Sequence, residues 1–391
     1  MNTYDWIVVG NGLAGAALSY ELANAGFSVV LLEKDNVLDN ATRYSYGGIA
    51  YWSGKTDLTR QLCQEGIQRY QQLSDELGNN IRFRELDLIL TVSTDADPQT
   101  TASSYADCAT PPQWIDRQQA CELEPLLNSE AIAGALTTRH GHVDPELLVS
   151  AYNQAFLRQG GTVAIATVTD VMRVNDSING VITSQGTYQG ANVAVCAGGF
   201  SRRLLRDAGI QVRQYFTHAE LIETSPLSAS LRTLVMPANL QRFALEAKAR
   251  QPETDPLWDE PGHEIVAPIL DAGAIQFQEG RIRIGQISRA LTNLDECMDA
   301  EQSEAEIRAG IAPILPPLAS LPGQWHHCLV AFSGDGLPLI GAFPGLDGLY
   351  LFSGFSNPFT ILPPLARRFA AHSPEHPDAI IQQLSPDRLI V

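Results

Sequence analysis

The chain has 391 residues, more than one ordinary domain, and this length predicts about two domains. Hydrophobic residues make up 45% of it, enough for a large buried core, and no apolar run reaches the roughly eighteen residues that a membrane-spanning helix requires. The formal net charge of −18 repels phosphate backbones and anionic headgroups, so we expect neither nucleic acid nor a membrane as a partner.

Cysteine usage and the N-terminal residues bear on metal binding and location. The six cysteines form neither a C-x-x-C pair nor a cluster with zinc-ligand spacing, so no metal site is predicted. No basic residue precedes the first apolar run, which is unlike a secretory signal. We therefore expect reduced thiols and a cytoplasmic protein.

The N-terminal segment follows the pattern of one βαβ unit. The apolar run 6–9 predicts a strand, a glycine-rich turn follows it, and a helical pattern covers residues 14–25. Gly26 then stands where glycine often ends a helix. The apolar, β-branched run 27–32 predicts the second strand.

A G-x-G-x-x-G motif lies between the first strand and the helix. In dinucleotide-binding folds these glycines permit the tight turn, the approach of the pyrophosphate and close packing of helix on strand. The helix N-terminus attracts phosphate, and a carboxylate after the second strand accepts hydrogen bonds from the ribose. This pattern does not distinguish FAD from NAD, although a protein binding only NAD would be colourless. The predicted contacts are Gly10, Gly12, Leu13, Ala14, Gly15, Glu33 and Lys34.

Further elements follow in chain order. A loop rich in Gly, Tyr and Ser covers 42–54, and a second loop covers 97–112. Helices are predicted over 58–77, 145–158 and 363–371, and strands over 81–92, 162–174, 191–197 and 348–352. Turns are predicted at 184–189 and around Gly280. The second turn lies within a region of mixed character, 231–289, that we assign to a substrate domain.

Several segments resemble, in order and spacing, the FAD-dependent amine and amino-acid oxidase superfamily, which includes glycine oxidase, D-amino-acid oxidase and monomeric sarcosine oxidase. The resemblance extends over most of the chain. Its segments are A-T-R-Y-S-Y-G-G-I at 41–49, V-D-P at 143–145, T-V at 167–168, V-C-A-G-G-F at 195–200, S-G-D-G-L-P-L-I-G at 333–341, G-L-Y at 348–350 and S-G-F at 353–355.

This resemblance implies FAD and an α/β fold: a Rossmann-like FAD-binding domain with a second α+β substrate domain built on an antiparallel sheet. The FAD-binding domain would comprise residues 1–82, 140–213 and 325–391, and the substrate domain 83–139 and 214–324. The further cofactor contacts it implies are Thr42, Arg43, Ser45, Gly47, Gly48, Ile49, Val168, Ala197, Gly198, Cys328, Gly334, Asp335, Gly354, Phe355, Ser356, Asn357, Phe359 and Thr360.

The implied reaction is oxidation of a C–N bond of a small amine or amino acid by hydride transfer to flavin N5, with oxygen or a quinone as electron acceptor. Two alternatives remain open: a 2-hydroxyacid dehydrogenase on the same scaffold, and a catalytically silent flavoprotein subunit of a complex. The candidate catalytic residues are His218, Tyr46, Arg43 and Asn357. For the histidine a purely structural role is the competing interpretation, and for Arg43 and Tyr46 it is phosphate binding or packing.

The chain departs from the family pattern at the expected substrate pocket. Val330 stands where the amino-acid oxidases have a carboxylate-binding arginine, and a valine does not replace a guanidinium. In the C-terminal flavin loop, Asn357 stands at an arginine position and Phe359 at a glycine position of glycine oxidase. Gly273 replaces a pocket tyrosine. An additional segment, 252–263, is a lid or a plain surface loop.

One cysteine and two histidine pairs leave questions open. Cys328 has the spacing of a cysteine that holds flavin covalently in monomeric sarcosine oxidase, or it is an ordinary buried thiol. The pair at 326–327 is expected at a solvent boundary. His140 and His142 alternate, as residues on one face of a strand do. Neither pair predicts a metal site.

Overall fold

The computed structural model describes residues 3–227 and 230–389. The predicted domain ranges also include residues 1, 2, 228, 229, 390 and 391, which lie outside the described part. Among the described residues, no helix combines the length and the apolar character that crossing a bilayer requires.

The strands of the described residues belong to two sheets. In chain order they are β1 (Thr3–Val9), β2 (Val29–Glu33), β3 (Gly48–Ile49), β4 (Arg84–Ser93), β5 (Gln113–Ile115), β6 (Ile132–His142), β7 (Thr162–Ile165), β8 (Val168–Val174), β9 (Ser177–Thr183), β10 (Gly186–Val195), β11 (Gln214–Thr224), β12 (Leu234–Pro237), β13 (Glu264–Gln276), β14 (Ile282–Leu291), β15 (Gly323–Ser333), β16 (Leu339–Ala342) and β17 (Leu349–Ser353).

The helices cover both sheets. They are α1 (Leu13–Asn24), α2 (Ala41–Tyr44), α3 (Asp57–Glu76), α4 (Pro98–Ser103), α5 (Arg117–Leu123), α6 (Pro145–Arg158), α7 (Ser201–Asp207), α8 (Gln241–Ala249), α9 (Ala300–Ile311), α10 (Pro358–Ala371) and α11 (Ala379–Gln383). Short 3₁₀ helices occur at Ser129–Ala131, Gly198–Phe200, Asp255–Asp259, Pro316–Leu318 and Pro386–Leu389.

The first sheet has the order β16-β17-β10-β1-β2-β7, parallel from β17 to β7, and β8 and β9 continue antiparallel from β10. Its central strand is buried on both faces, which explains the unbroken apolar run in the sequence. Trp6 and Val8 pack towards α1, α3, α6 and α10, and Ile7 and Val9 pack towards β8, β9 and α7. The parallel strands therefore end together beside the glycine-rich turn.

The second sheet has the order β15-β11-β14-β13-β12-β4-β6-β3, with β5 beside β6. Its pairs are antiparallel except for β12 with β4. Strands β13 and β14 form the predicted hairpin around Gly280, and β15 pairs with β11 along its whole length. The prediction of an α/β fold with an antiparallel-sheet second part is confirmed.

Two predictions were wrong, the start of a helix that contains prolines and a polar segment that was predicted to be all loop. Helix α10 begins at Pro358 and contains Pro363 and Pro364, although the predicted helix began at residue 363. Pro364 lacks the amide that would bond the Thr360 carbonyl. This carbonyl instead lies against Gly66 of α3, where an added Cβ would overlap it. In the predicted loop 97–112, Asp97 caps α4 through the Thr100 amide.

Two other segments also differ from the prediction. The predicted strand 162–174 is two strands, β7 and β8, separated by two residues. The segment 252–263 contains a 3₁₀ helix and is held to the body of the protein. Its Asp255 and Asp259 bind Arg202 at 3.0 and 2.9 Å, and Trp258 is buried. This segment is therefore neither a free lid nor a plain surface loop.

Candidate active site

The glycine-rich turn joins β1 to α1 and contacts β10. Gly10 has φ +101°, and a Cβ there would lie 2.8 Å from the Cys196 carbonyl oxygen. A Cβ on Gly15 would overlap the Gly10 carbonyl oxygen, so this glycine sets the spacing between helix and turn. A Cβ on Gly12 would meet only side chains, Thr42 Oγ1 at 3.3 Å first, because this residue faces a cavity.

The cavity has a volume of about 1490 Å³ and runs from the turn to the second sheet. Pockets for drug-sized ligands measure about 300–1,000 Å³, so this one has room for a dinucleotide and a further small molecule. The predicted residues that line it are Gly10, Gly12, Leu13, Ala14, Glu33, Lys34, Thr42, Ser45, Tyr46, Gly48, Val168, Ala197, Gly198, Cys328, Gly354, Phe355, Ser356, Asn357 and Phe359. Predicted residues outside its lining are Gly15, Arg43, Gly47, Ile49, His218, Gly334, Asp335 and Thr360.

Glu33 lies where β2 meets the glycine-rich turn. Its Oε2 accepts a hydrogen bond from the Asn11 amide at 2.5 Å, and its Oε1 accepts one from the Lys34 amide at 2.8 Å. The carboxylate is thereby fixed at the wall of the cavity. Asn11 also lines the cavity, and its buried Oδ1 has no hydrogen-bond partner among the described residues. Such an acceptor favours a ligand that brings a donor.

Aromatic and cationic side chains gather at the turn end of the cavity. The Lys34 ammonium lies 5.0 Å from the centre of the Phe200 ring, and the Arg203 guanidinium lies 5.4 Å from it. Val168 lines the same cavity from β8. Flat and cationic surfaces of this kind suit a purine and its phosphates.

Arg43 does not face the cavity. Its Nη1 and Nη2 donate to Glu223 at 2.9 and 2.7 Å, and its Nε lies 2.9 Å from Glu146 Oε2. The contact of Arg43 with substrate or cofactor stays a prediction; in the structure two carboxylates, on α6 and β11, take its donors. Arg283 joins this cluster through Glu223 at 2.7 Å and donates to the Ser45 carbonyl oxygen. The cluster holds the loop after α2 against the second sheet.

Glu223 is the centre of that ionic cluster. Burial works against its ionisation, but the hydrogen bonds and charges of Arg43 and Arg283 prevail and hold the pKa of Glu223 at about 2. The carboxylate therefore stays ionised at neutral pH. Gly47, which follows in the same loop with φ +67°, packs directly against the Val143 carbonyl.

Tyr46 lines the cavity and makes one contact that explains a departure from the family pattern. Its hydroxyl donates to the Gly273 carbonyl oxygen at 3.2 Å. A Cβ on Gly273 would lie 2.5 Å from the Val235 carbonyl oxygen, so no side chain fits there. Tyr46 therefore supplies a hydroxyl beside Gly273, the position at which the family pattern has a tyrosine and this chain does not. Burial raises the pKa of Tyr46, so this hydroxyl stays protonated.

His218 is fully buried and points away from the cavity. Successive strand residues face opposite sides, and it is the neighbouring Ala219 and Leu221 of β11 that line the cavity. The His218 Nδ1 lies 2.7 Å from Nε2 of His327, which does line it. Burial and then the His327 charge lower the pKa of His218 to about 4. The catalytic role of His218 stays a prediction, and the structure connects this residue to the cavity only through His327.

The other predicted histidines are structural in their contacts. His326 and His327 are half-buried, in agreement with a solvent boundary, and His326 stacks on Tyr44 with 4.5 Å between ring centres. His140 and His142 are buried in β6 on one face, as the alternation indicated. His140 Nδ1 accepts from Trp52 Nε1 at 3.0 Å. No group of metal-ligating side chains occurs within residues 3–227 and 230–389.

The segment S-G-D-G-L-P supports the C-terminal end and does not line the cavity. Asp335 binds Arg388, with 2.8 Å between Oδ2 and Nε, and its Oδ1 accepts from the Leu337 amide at 3.0 Å. Gly334 lies against Arg213. The cofactor contacts of Gly334 and Asp335 stay a prediction; in the structure the aspartate holds the 3₁₀ helix that contains Arg388.

The C-terminal loop brings Gly354, Phe355, Ser356 and Asn357 to the cavity wall. Thr360 lies beneath them and donates from Oγ1 to Asn357 Oδ1 at 3.3 Å. On the strands that face this loop, Cys328 lines the cavity, and burial raises its pKa to about 12. A thiol held protonated is a poor nucleophile, which favours non-covalent cofactor binding.

The cavity residues that the sequence analysis missed include two charged side chains of the substrate part, Arg242 of α8 and Asp271 of β13. Asp271 is buried and accepts the amides of Gln241 at 3.0 Å and Arg242 at 3.1 Å, so it caps α8. The Arg242 Nη2 donates to the Ser356 carbonyl oxygen at 2.9 Å. The helical pattern of residues 241–249 was the available signal, but it lies in a region interpreted as irregular.

These features fit FAD, the cofactor that the resemblance implies. The turn leaves one face of Gly12 open, Glu33 and the unpartnered Asn11 oxygen stand where the glycine motif predicts the ribose, and the cavity continues to the C-terminal loop. Phosphate at the start of α1 is favoured by the partial positive charge of the helix N-terminus, where the Leu13 amide donates to Thr42 Oγ1 at 3.0 Å.

Comparisons with known proteins agree with this fit. The family model described as DAO, FAD dependent oxidoreductase, matches residues 5–372. A glycine oxidase of Pseudomonas aeruginosa is 27% identical over 93% of each chain. The 4-methylaminobutanoate oxidase (formaldehyde-forming) of Paenarthrobacter nicotinovorans is 28% identical, and the alignment covers 92% of this chain but 42% of that protein. Human dimethylglycine dehydrogenase is 26% identical, over 28% of its length.

The fold has close counterparts among solved structures. Glycine oxidase of Geobacillus kaustophilus superposes with a TM-score of 0.80, at 21% identity and with all of both chains covered. L-proline dehydrogenase of P. horikoshii superposes with a TM-score of 0.77, at 18% identity, over 99% of this chain and 98% of that one. The predicted family and the predicted cofactor, FAD, are confirmed. The chain belongs to the DAO family of FAD-dependent oxidoreductases.

Proposed function

We propose that the protein oxidises a C–N bond of a small amine or amino acid. The observation that carries this proposal is a single cavity that joins a dinucleotide turn to an apolar pocket on the second sheet. FAD, when bound, supplies the acceptor for the hydride. The named relatives act on glycine, dimethylglycine and 4-methylaminobutanoate, which are all amines.

The pocket residues suit a neutral amine. Ala219, Leu221, Cys328 and Val330 line it from β11 and β15, and apolar walls disfavour an ammonium relative to the free amine. Hydride loss from carbon requires the nitrogen lone pair, so this preference assists the reaction. The Tyr46 hydroxyl, held by Gly273, positions a polar group of the substrate.

We propose the remaining assignments on the same grounds. Residues 1–82, 140–213 and 325–391 act as the FAD-binding part, with β15 also paired into the second sheet, and 83–139 and 214–324 as the substrate part. The unpartnered Asn11 oxygen and the carboxylate of Glu33 support ribose binding at the turn, and Asn357 supports the flavin end. The protein works in the cytoplasm, with oxygen or a quinone as electron acceptor.

The test is anaerobic addition of candidate substrates to the FAD-loaded protein. N-methylglycine and 4-methylaminobutanoate are expected to bleach the flavin band near roughly 450 nm. Bleaching by lactate alone would favour the 2-hydroxyacid dehydrogenase, and no bleaching by either class would favour the silent flavoprotein. Acid precipitation of the same sample is expected to release the flavin into the supernatant, because the Cys328 thiol is protonated; flavin in the pellet would contradict non-covalent binding.

A further inference from the structure

The cationic side chains that line the cavity occupy two places. Lys34 and Arg203 both lie over Phe200 at the turn end, where they pair with Asp35 at 3.1 Å and Asp295 at 3.2 Å. The remaining cation in the lining, among the described residues, is Arg242. Its hydrogen bond to Ser356 places its guanidinium beside the C-terminal loop, away from Phe200.

Arg242 differs from the buried arginines of the protein in what it binds. Arg43 and Arg283 donate directly to carboxylates, and such pairs leave little attraction for a further anion. Among the described residues the Arg242 guanidinium donates one hydrogen bond, to a neutral carbonyl. A guanidinium has five N–H donors in a planar fork, so most of them remain available.

The acidic neighbours of Arg242 do not neutralise it as hydrogen-bonded partners. Its Nε lies 3.6 Å from Glu246 Oε1, which is too long for a good hydrogen bond. Burial raises the pKa of Glu246, which disfavours the anion closest to the guanidinium. Asp271 uses one oxygen on each of two backbone amides, including that of Arg242 itself. These contacts fix the start of α8. They leave the Arg242 guanidinium, which lines the cavity, with its positive charge.

The side of the pocket formed by β11, β14 and β15 offers no second cation, because its polar lining residues are Gln286 and His327, and burial lowers the pKa of His327. The cavity residues of β11 and β15 at 219, 221, 328 and 330 carry apolar or thiol side chains. A carboxylate placed against them would lose its water without gaining a hydrogen bond, which costs several kcal/mol. Near Arg242 the same carboxylate gains a bidentate, charge-assisted pair.

We propose that Arg242 binds the carboxylate of the substrate, so that the substrate class is amines that also carry a carboxylate group. The inference rests on the proposed amine oxidation for its substrate, although the carboxylate site itself is testable without turnover. Phe243, whose ring lies 4.9 Å from the guanidinium and is 46% exposed, covers the site from the side of α8. The guanidinium of Arg242 orients the substrate, because it binds the carboxylate end in this part of the cavity.

The experiment titrates FAD-loaded protein with acetate and with its neutral counterpart acetamide, followed by perturbation of the flavin spectrum. In Arg242→Met we expect the Kd for acetate to rise at least about tenfold, while acetamide binding changes little. Arg242→Lys keeps a point charge but loses the fork, so it should recover part of the affinity. Lys248→Met removes an exposed positive charge from the same helix and should change nothing.

The outcomes separate this inference from its competitors. Equal acetate affinity in the wild type and Arg242→Met would overturn it. A lowered flavin reduction potential with unchanged acetate affinity would also overturn it, since Arg242 would then serve the cofactor. If Arg242→Met does not retain FAD, Arg242→Lys takes its place in the test. The inference would be overturned if Arg242→Lys prefers acetate over acetamide as strongly as the wild type does. Arg242-dependent acetate binding without reduction by any amine would refute the proposed oxidation and leave the carboxylate site standing.

Discussion

Glu33 connects two functions at the residue scale. Its carboxylate accepts the Asn11 and Lys34 amides, and so it orders the glycine-rich turn while it faces the cavity. Hydrogen bonds from ribose hydroxyls to this carboxylate would be charge-assisted, and such bonds contribute about 1.5–3 kcal/mol each. One side chain therefore affects both the shape of the turn and the affinity for the nucleotide.

Replacing Glu33 by Ala should raise the Kd for FAD by about tenfold or more, because ribose contacts and the support of the Asn11 amide are lost together. The measurement is a fluorescence titration of the apoprotein with FAD. Glu122→Ala, which removes an exposed carboxylate from α5, is the matched control and should bind FAD normally. FAD affinity unchanged in Glu33→Ala would show that the ribose lies elsewhere.

The sequence predicted which residues of the glycine-rich turn line the cavity better than it predicted those of the second sheet. The glycines and Glu33 belong to one local pattern whose physical reasons all lie within about thirty residues of chain. The orientation of Arg43 depends on Glu223, which is 180 residues away, and that of His218 depends on the register of β11 against β15. Arg242 reaches the cavity through the cap that Asp271 of β13 provides from 29 residues further along the chain. Such long-range contacts leave no local signal.

At the scale of elements, the packing of α1 on β1 is controlled by two glycines with different tasks. Gly15 lies where helix and turn touch, so an added methyl group would overlap the Gly10 carbonyl oxygen. Gly12 has an ordinary φ of −75° and faces the cavity. The first glycine is needed for the fold, and the second is needed for the ligand.

Gly15→Ala and Gly12→Ala should therefore separate stability from binding. Gly15→Ala is expected to lower the free energy of unfolding of the apoprotein by about 2–3 kcal/mol, since α1 must move away from the turn. Gly12→Ala should change that free energy by about 1 kcal/mol or less but weaken FAD binding at least about tenfold. Denaturant unfolding and FAD titration of both variants measure this. The same loss of stability in both would contradict the division of tasks.

Element boundaries were predictable where a cap or glycine marks them and not where tertiary packing overrides a local rule. The C-terminal glycine of α1 and the hairpin of β13 and β14 follow such marks. Helix α10 contains Pro363 and Pro364 because the carbonyl that Pro364 frees packs against Gly66 of α3. The sequence of α10 alone does not predict that α3 packs against it at this position.

At the scale of the whole molecule, Glu223 binds the two sheets together. It lies on β11 of the second sheet and pairs with Arg43 of α2, which follows β2 of the first sheet, and with Arg283 on β14. Its folded pKa of about 2 lies below the ordinary 4.5. A depressed pKa stabilises the fold fully above about pH 4.5, and this contribution is lost as the pH falls towards 2.

Glu223→Gln should therefore be less stable than the wild type by on the order of 3 kcal/mol at neutral pH. The difference between the two proteins should shrink between pH 4.5 and pH 2, where the wild-type carboxylate becomes protonated. Denaturant unfolding across that range measures it. Glu304→Gln, which breaks the Arg308 pair on α9, should lose about 0.5 kcal/mol or less. A constant difference across the range would mean that Glu223 does not titrate as described.

The pairing of β1 with β10 determines when the first sheet can be completed during synthesis. β2 follows β1 closely, but the other neighbour of β1 spans residues 186–195. A ribosome adding about 5–20 residues per second leaves that edge open for roughly 10–40 s. For this interval an apolar strand with free amides and carbonyls is exposed to other nascent chains. We therefore expect the N-terminal half, when released early, to depend on chaperones far more than the finished protein does.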